Sequence, residues 1–459
     1  MRAPILVLGA LALSACKLGP DYARPALPTG AAASLHAGEA PPPLAPWWPA
    51  LADPRLDALE DEALAHAPTL AEARARVEAA RAGLRAARAA QAPAMAVDAA
   101  YAHAQLPGQF TTLTGIDRAE AYAAGLDASW EVDLWGARRR AVEQARAGAG
   151  LASASLADAE VRLTAELAQT YVALAARQAA ATLLEHRAGL EGQLLHMARL
   201  RLAGGTGTGQ QVEQAAATLD ATRADIALNA GEESALQAAL AVLAGRAPGA
   251  APAERIAAVP LPPARVEVGD AGALIARRPD VRMAERNLAA AHAGIGMALA
   301  QRYPSVSLLG FIGIGGLSAG HGFDSAQAGG LLLPRLTWAF PDFGRVNAAV
   351  HAARAEDAAA LAHYQAAMLG ALQDADGALA RFGAARSAYA GALDSEGHAH
   401  EAARLEALRA ARGTIARSQA LAAETQAISA TLARQAAAAR LTLAYAQLAK
   451  ALGLGWQGP

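Results

Sequence analysis

The stretch Tyr122-Ala-Ala-Gly-Leu-Asp-Ala-Ser-Trp130-Glu-Val-Asp-Leu134 alternates between two kinds of side chain. Tyr122, Ala124, Leu126, Ala128, Trp130, Val132 and Leu134 form one set, and Asp127, Ser129, Glu131 and Asp133 fall between them. A period of two with an apolar and a polar face is a strand signal. A strand with lipid on one side and water on the other carries this pattern, and about 9 to 11 residues cross a bilayer. A second region starts at Ser305, where Val306, Leu308, Ile312 and Ile314 interleave with Ser305, Ser307 and Gly313 and the chain returns over Leu331 to Phe340. The pattern predicts strands at about 95–105, 120–134, 304–315 and 329–340. Stretches rich in Gly, Thr, Ser and Asp, about 106–119 and 315–328, read as hairpin tips.

Ser305 to Phe323 holds no Asp, Glu, Lys or Arg over 19 residues, so a membrane-crossing helix competes there. Its glycines make a poor helix, and Tyr303-Pro304 favours extended entry. A hairpin of a soluble sandwich is the other alternative. Four strands do not close around a channel, and lipid tolerates no open sheet edge. Strands of this kind in a membrane therefore require further copies of the chain, and three copies give twelve.

Prolines divide the rest. They crowd residues 20 to 54, vanish from 108 to 247, cluster between 248 and 263, and are absent between Pro341 and Pro459. Proline inside a helix costs about 3 kcal/mol, so the two free stretches can hold long helices. Ala137 to Leu202 has helical composition throughout and would measure about 100 Å at 1.5 Å per residue. Ala348 to Leu408 is similar. Leu167, Leu174, Ala181, Ala188, Leu195 and Leu202 recur every seven residues, one seam of a coiled coil.

The chain also repeats itself. Pro68, Ala82-Gly83 and Pro93 line up with Pro279, Ala293-Gly294 and Pro304 at an offset of 211 residues. Trp130 and Gly136 line up with Trp338 and Gly344 at an offset of 208, which continues through Gly205-Thr206 and Gly413-Thr414. Each half reads helix, hairpin, very long helix, break, helix. The predicted organisation is a first repeat over 56–247, a Pro-rich linker over 248–263, a second repeat over 264–453 and a tail over 454–459.

The N-terminus reads as an address. Met1-Arg2 is a basic start, Ala3 to Ala15 is an apolar run too short to span a bilayer, and Leu13-Ser14-Ala15 precede Cys16, the only cysteine of the 459 residues. This predicts a signal over 1–15, acylation of Cys16 and an extended segment over 16–55. Several acyl chains on one residue anchor firmly, at about 0.8 kcal/mol per buried methylene. Forty basic and 42 acidic side chains give a net charge of −2, which argues against nucleic acid as a partner. One cysteine excludes an intrachain disulfide and a Cys-based zinc cluster. One Gly-X-Ser-X-Gly run, Gly316-Leu-Ser-Ala-Gly320, falls in the second hairpin-tip stretch and not between a strand and a helix, and no His-Glu-X-X-His set is present, which argues against a hydrolase. His398 and His400, two apart on a predicted helix, face different directions and make no metal pair.

Several blocks resemble one family. Cys16-Lys-Leu-Gly-Pro-Asp-Tyr-Ala-Arg-Pro25, Trp47-Trp48 with Asp53-Pro54-Arg55-Leu56, Arg277-Arg278-Pro279-Asp280-Val281-Arg282, Tyr303-Pro304-Ser305 and the closing Leu448-Ala-Lys-Ala-Leu-Gly453 are similar, in order, to the TolC-like outer-membrane factors of the OprM/NodT lipoprotein branch. The resemblance implies a mainly α protein with membrane β: a homotrimer whose twelve-stranded outer-membrane β-barrel continues into a long α-helical periplasmic barrel. It implies a passive exit duct that performs no chemistry and needs no cofactor or metal. Its partners would be a periplasmic adaptor (membrane fusion protein), an inner-membrane pump, commonly RND-type, and outer-membrane lipid. Lys17 after the acylated cysteine implies outer-membrane sorting.

The same resemblance assigns sites. The breaks at Gly204, Gly205, Thr206 and Gly207, and at Gly413 and Thr414, would be periplasmic tips where the adaptor docks. Acidic gate positions of the family fall near Ser418 and Ala422 here, with Arg412 and Arg417 close by, so the acidic ring is missing. Asp127, Glu131 and Asp133 are candidate lumen acids, a hydrogen-bonded structural corner being the alternative. Trp130 and Trp338 are candidates for the membrane interface, where indoles are favoured. A periplasmic coiled-coil adaptor or structural lipoprotein without a pore is the competing reading; it gives no reason for two lipid-compatible hairpins.

Overall fold

The computed structural model describes residues 17–25, 46–105, 118–249, 255–264, 266, 277–316 and 328–456. Cys16, residues 1–15, most of both hairpin tips and part of the linker lie outside the described residues. The chain is mostly helical, with one four-stranded sheet. Helix α1 (Pro54–His66) begins with proline at its first position, and the Asp53 side chain accepts the N–H groups of Arg55 and Leu56. Both devices suit a helix start, where backbone donors lack intrahelical partners. The elements then follow as α2 (Pro68–Ala89), β1 (Ala94–Gln105), β2 (Arg118–Val132), α3 (Ala137–Ala203) and α4 (Gly209–Leu243). After the linker come α5 (Pro279–Ala300), β3 (Ser305–Gly316), β4 (Ala328–Thr337), α6 (Arg345–Ala411) and α7 (Arg417–Ala451).

The repeat is metric as well as textual. Helices α2 and α5 both have 22 residues, α3 and α6 both 67, α4 and α7 both 35. No helix among the described residues is long and apolar enough to cross a membrane.

The chain forms two compact units interleaved in sequence. The first is built from 76–153 and 283–365 with the N-terminal segment to Pro25. Its sheet is an antiparallel meander in the order β1-β2-β3-β4. Beside the sheet, Ile295 and Ala298 of α5 pack on Val346, Val350 and Ala353 of α6.

The second unit holds the stretch to Ala75, 154–282 and 366 onward. Trp47, Trp48, Leu56, Leu70, Leu167, Tyr171, Tyr445 and Leu448 form its main core. Each fully buried leucine there is worth about 1.5–3 kcal/mol relative to exposure. The heptad seam is buried at Leu167, Leu174 and Leu195, while Leu202, one residue before the α3 terminus, is 43% exposed. Further along, Leu190 meets Leu421 and Ile428 of α7.

Two strands end earlier than expected, for local reasons. β2 stops at Val132 because Leu134 N–H turns back to Val132 O and Asp133 turns toward the start of α3, so Leu134 is not a strand residue. β4 stops at Thr337, ahead of the expected 340; the Trp338 indole donates to Arg302 O, and Pro341 offers no backbone donor.

Candidate functional site

Register sorts every strand residue onto one of two faces. Leu126 lies opposite Val97 and Ile312, and Gly310 opposite Leu332, which places these residues with Met95, Trp130, Leu308 and Leu336 on one face. That face is apolar and open: Val97 is 82% exposed and Leu332 71%. The opposite face carries Asp98, Asp127, Glu131, Ser305, Ser307, Arg335 and Thr337. Glu120 joins the apolar face only near the β1–β2 hairpin tip, where it meets His103. Away from the tip, an apolar face over four consecutive strands with a charged face behind it is the partition a bilayer wall needs. Among the described residues, β1 and β4 each pair on one side only.

The predicted acids divide between roles. Asp127 sits on the polar face, where its carboxyl meets that of Asp98 across the β1–β2 pair. Glu131, on the same face, binds Arg138 at 2.6 Å. Asp133 accepts the backbone N–H groups of Arg138 and Arg139, both at 3.0 Å, and so caps α3. Asp342 does the same for α6, accepting from Gly344 and Val346 N–H at 3.2 and 2.9 Å. Those two bonds, Val346 first, hold the Asp342 carboxyl below its ordinary range.

The indoles mark the strand–helix corners. Trp130 donates to Gln91 O at 2.9 Å and Trp338 to Arg302 O at 3.2 Å, the same contact once per repeat. Trp135 donates to Pro304 O and stacks on Tyr303, so it covers the start of β3 from the end of β2. Its repeat counterpart, Phe343, covers nothing and is 94% exposed.

The two helix breaks are built alike. Gly205 and Gly413 both have φ +72, a left-handed turn that glycine adopts without strain. Thr206 and Thr414 direct both N–H and Oγ1 to the carbonyls of Arg201 and Arg409. Thr208 and Gln211 form a capping box at the start of α4, and Ala416 offers no such cap to α7. Gly204, Arg412, Arg417 and Ala422 are exposed, and Gly207 and Ser418 half-buried. Arg412 and Arg417 have no ion pair among the described residues, whereas Arg404 and Arg409 bind Glu401 and Glu406. His400 bonds Thr431 Oγ1 at 2.9 Å, and no metal-binding cluster occurs among the described residues.

Two arginines hold roles that the sequence did not assign, although Arg278 lies in the Arg277–Arg282 block quoted above. Arg140, 1% exposed, donates to Leu18 O and Gly19 O and to Glu143 at 2.8 Å, clasping the N-terminal segment. The segment also donates Leu18 N–H to Trp135 O and Tyr22 OH to Glu285. Arg278 donates to Ala371 O, Ala451 O, Asp280 and Asp374. Burial opposes its charge, yet Asp280 and Asp374 outweigh it and raise its pKa. Ala348 stands where the second repeat would have its Arg140, so that clasp has no sequence echo.

A family model described as outer membrane efflux protein matches the chain twice, over residues 59–246 and 271–454. The chain belongs to that family. The protein is an outer-membrane efflux channel, and the double match follows its two repeats. It is similar to the fusaric acid resistance protein FusA of Burkholderia cepacia, 32% identical over 72% of this chain but spanning only 63% of that one. It is also similar to the outer membrane protein OprJ of Pseudomonas aeruginosa, 30% identical over 82% of this chain and 79% of that one. Among solved structures, the outer-membrane channel OprN superposes with a TM-score of 0.85 at 30% identity, covering 96% of this chain and all of that one. In this efflux channel the sheet carries the exposed apolar face, and the α3–α4 and α6–α7 turns are the helix breaks of the fold.

Proposed function

We propose that this efflux channel works as a homotrimer, with three four-stranded sheets closing one twelve-stranded barrel in the outer membrane. The apolar sheet face meets lipid and the polar face lines a passive, water-filled exit duct. Helices of 67 residues, about 100 Å of helical rise, extend the duct into the periplasm. The turns at Gly204–Gly207 and at Gly413–Thr414 dock a periplasmic adaptor, which couples the duct to an inner-membrane pump of the RND type. Cargo is small molecules. FusA carries fusaric acid resistance in its name, and the similar CusC of Escherichia coli is called a cation efflux protein. Cys16 is acylated and tethers the chain: the adjoining Lys17 and Leu18 are held against Gly136 and Trp135, at the rim of the apolar face.

One observation carries the trimer: among the described residues both outer strands have an unpaired edge, inside a wall whose apolar face is exposed. Unsatisfied backbone groups in hydrocarbon cost several kcal/mol each. Phe343 supports the same reading. Trp135 seals the β2–β3 seam, and Phe343 holds the matching position beside the open edge of β4, where a second copy would receive it. A poreless adaptor has no use for such edges. The test is reconstitution of detergent-extracted protein: the reading expects a trimeric mass and ion conductance in planar bilayers. A stable monomer, or trimers that conduct nothing in any state of the inner turns, would overturn it.

A further inference from the structure

The polar face of the sheet is broken by an apolar patch. Phe311 lies directly opposite Asp127 on one side and Leu331 on the other, and Leu309 lies opposite Ser129 and Leu333. All four apolar residues share the face of the carboxylates. Leu331 and Leu333 remain 61% and 48% exposed. The Phe311 ring lies flat on the wall: a Cβ added to Gly125 or Gly313 would come within 2.6 Å of it. A glycine pair beneath an aromatic ring is a recognised way to shape a barrel strand, and it accounts for Phe311. It does not account for the three leucines around the ring, on a surface where polar side chains would serve a wet passage better.

These residues line a depression of about 370 Å³ with Ala96 and Asp127 among its walls. That volume accepts one small organic molecule. Strands lie about 4.8 Å apart, so the row Asp127, Phe311, Leu331 spans about 10 Å. The row presents a carboxyl at one end, where Asp98 and Asp127 meet, and hydrocarbon at the other. The opposing charge on this face of the second hairpin, Arg335, stands four residues along β4 from Leu331, about 13 Å away.

We infer that this depression is a binding subsite for organic monocations that carry an apolar ring. The ring rests on Phe311, Leu309, Leu331 and Leu333, and the cationic centre faces Asp127. The inference rests on the polar face being the duct lining, so a trimer carries three such subsites around the passage. Binding there is weak by necessity, since a passage has to release what it holds.

The test is equilibrium dialysis of benzyltributylammonium against the full chain in nanodiscs, with empty nanodiscs as blank. The expected result is saturable retention of one cation per chain, with no retention of benzenesulfonate. Asp127→Asn and Leu331→Ser each weaken it about tenfold or more, a loss of about 1.4 kcal/mol. Both substitutions leave the Phe311 ring over its glycines. Retention equal to empty discs, or unchanged by both substitutions, overturns the subsite. Ion conductance of the same preparations reports on the duct separately: a chain that conducts but retains no cation loses the subsite and keeps the duct.

Discussion

The internal repeat fixes which residues meet if copies of the chain share a sheet. β2 pairs with β3 so that Ala128 faces Gly310 and Val132 faces Val306. The offset of 208 carries β2 onto β4 and the offset of 211 carries β3 onto β1. Ala128 and Gly310 become Leu336 facing Ala99 of a second copy, and Val132 and Val306 become Phe340 facing Met95. Opposed residues of antiparallel strands have Cα atoms about 4.5–5.5 Å apart, within disulfide reach of about 4.4–6.8 Å. A slip of two residues adds about 6.8 Å along the strand and stretches the separation to about 8 Å, out of reach. Within one chain Ala99 lines up across the sheet with Ala328, eight residues from Leu336, so the two positions are about 30 Å apart. The doubly substituted chain Ala99→Cys, Leu336→Cys therefore crosslinks between copies on mild oxidation. On a non-reducing denaturing gel it runs as covalent trimer, with the Cys16-only parent as blank. Leu336→Cys combined with Val97→Cys or Tyr101→Cys stays uncrosslinked. Slipped pairs that crosslink as well as the aligned one would refute the transported register. No intermolecular crosslink in any of the three would refute the seam.

Three further outcomes follow from the same residues. Arg417→Ala, which removes an unpaired exposed guanidinium beside the second turn, shifts single-channel conductance and reduces anion preference in planar bilayers; unchanged conductance and selectivity remove Arg417 from the gate. Arg278→Met leaves two buried carbonyls and two carboxylates without their donor. Breaking a buried pair costs about 3–5 kcal/mol, discounted to about 2–3 because Asp280 and Asp374 are partly exposed, and thermal melting reads the loss. Asp342→Ala melts below the parent at neutral pH, because a carboxyl held below its unfolded value of about 3.9 stabilises the fold fully above that value. The contribution fades as pH falls through the folded value, so the gap between the two melting curves narrows in acid; a gap independent of pH would remove the cap from the account.

The helices were the easiest part to read. Proline inside a helix is costly, so the proline-free stretches showed where long helices could lie; helical composition then bounded α3 and α6 to within three residues at each end, and the offsets of 208 and 211 located their counterparts. Strand alternation was equally direct wherever both faces obeyed it. It failed at Leu309 and Phe311, which break the polar set. Phe311 answers to Gly125 and Gly313 on its own and the neighbouring strand, a requirement that exists only once register is known. Arg140 and Arg278 were hidden by number: among 38 arginines, a buried one has the same local sequence as a solvated one, and its acceptors lie up to 173 residues away. Asp133 shows the same limit, since it caps α3 from four positions before Ala137 and local spacing alone leaves it free to face water.

The equal lengths of α3 and α6, and of α4 and α7, act as paired gauges. Removing one turn from α3 alone would draw its glycine break back by about 5.4 Å while its counterpart stayed in place. In the trimer proposed above, that error would set every second one of six tips back, leaving a crenellated rim where the proposed adaptor needs a level one. Indels in these rods are therefore tolerated in matched doublets and punished singly, and an engineer who wishes to deepen the tube must lengthen all four together.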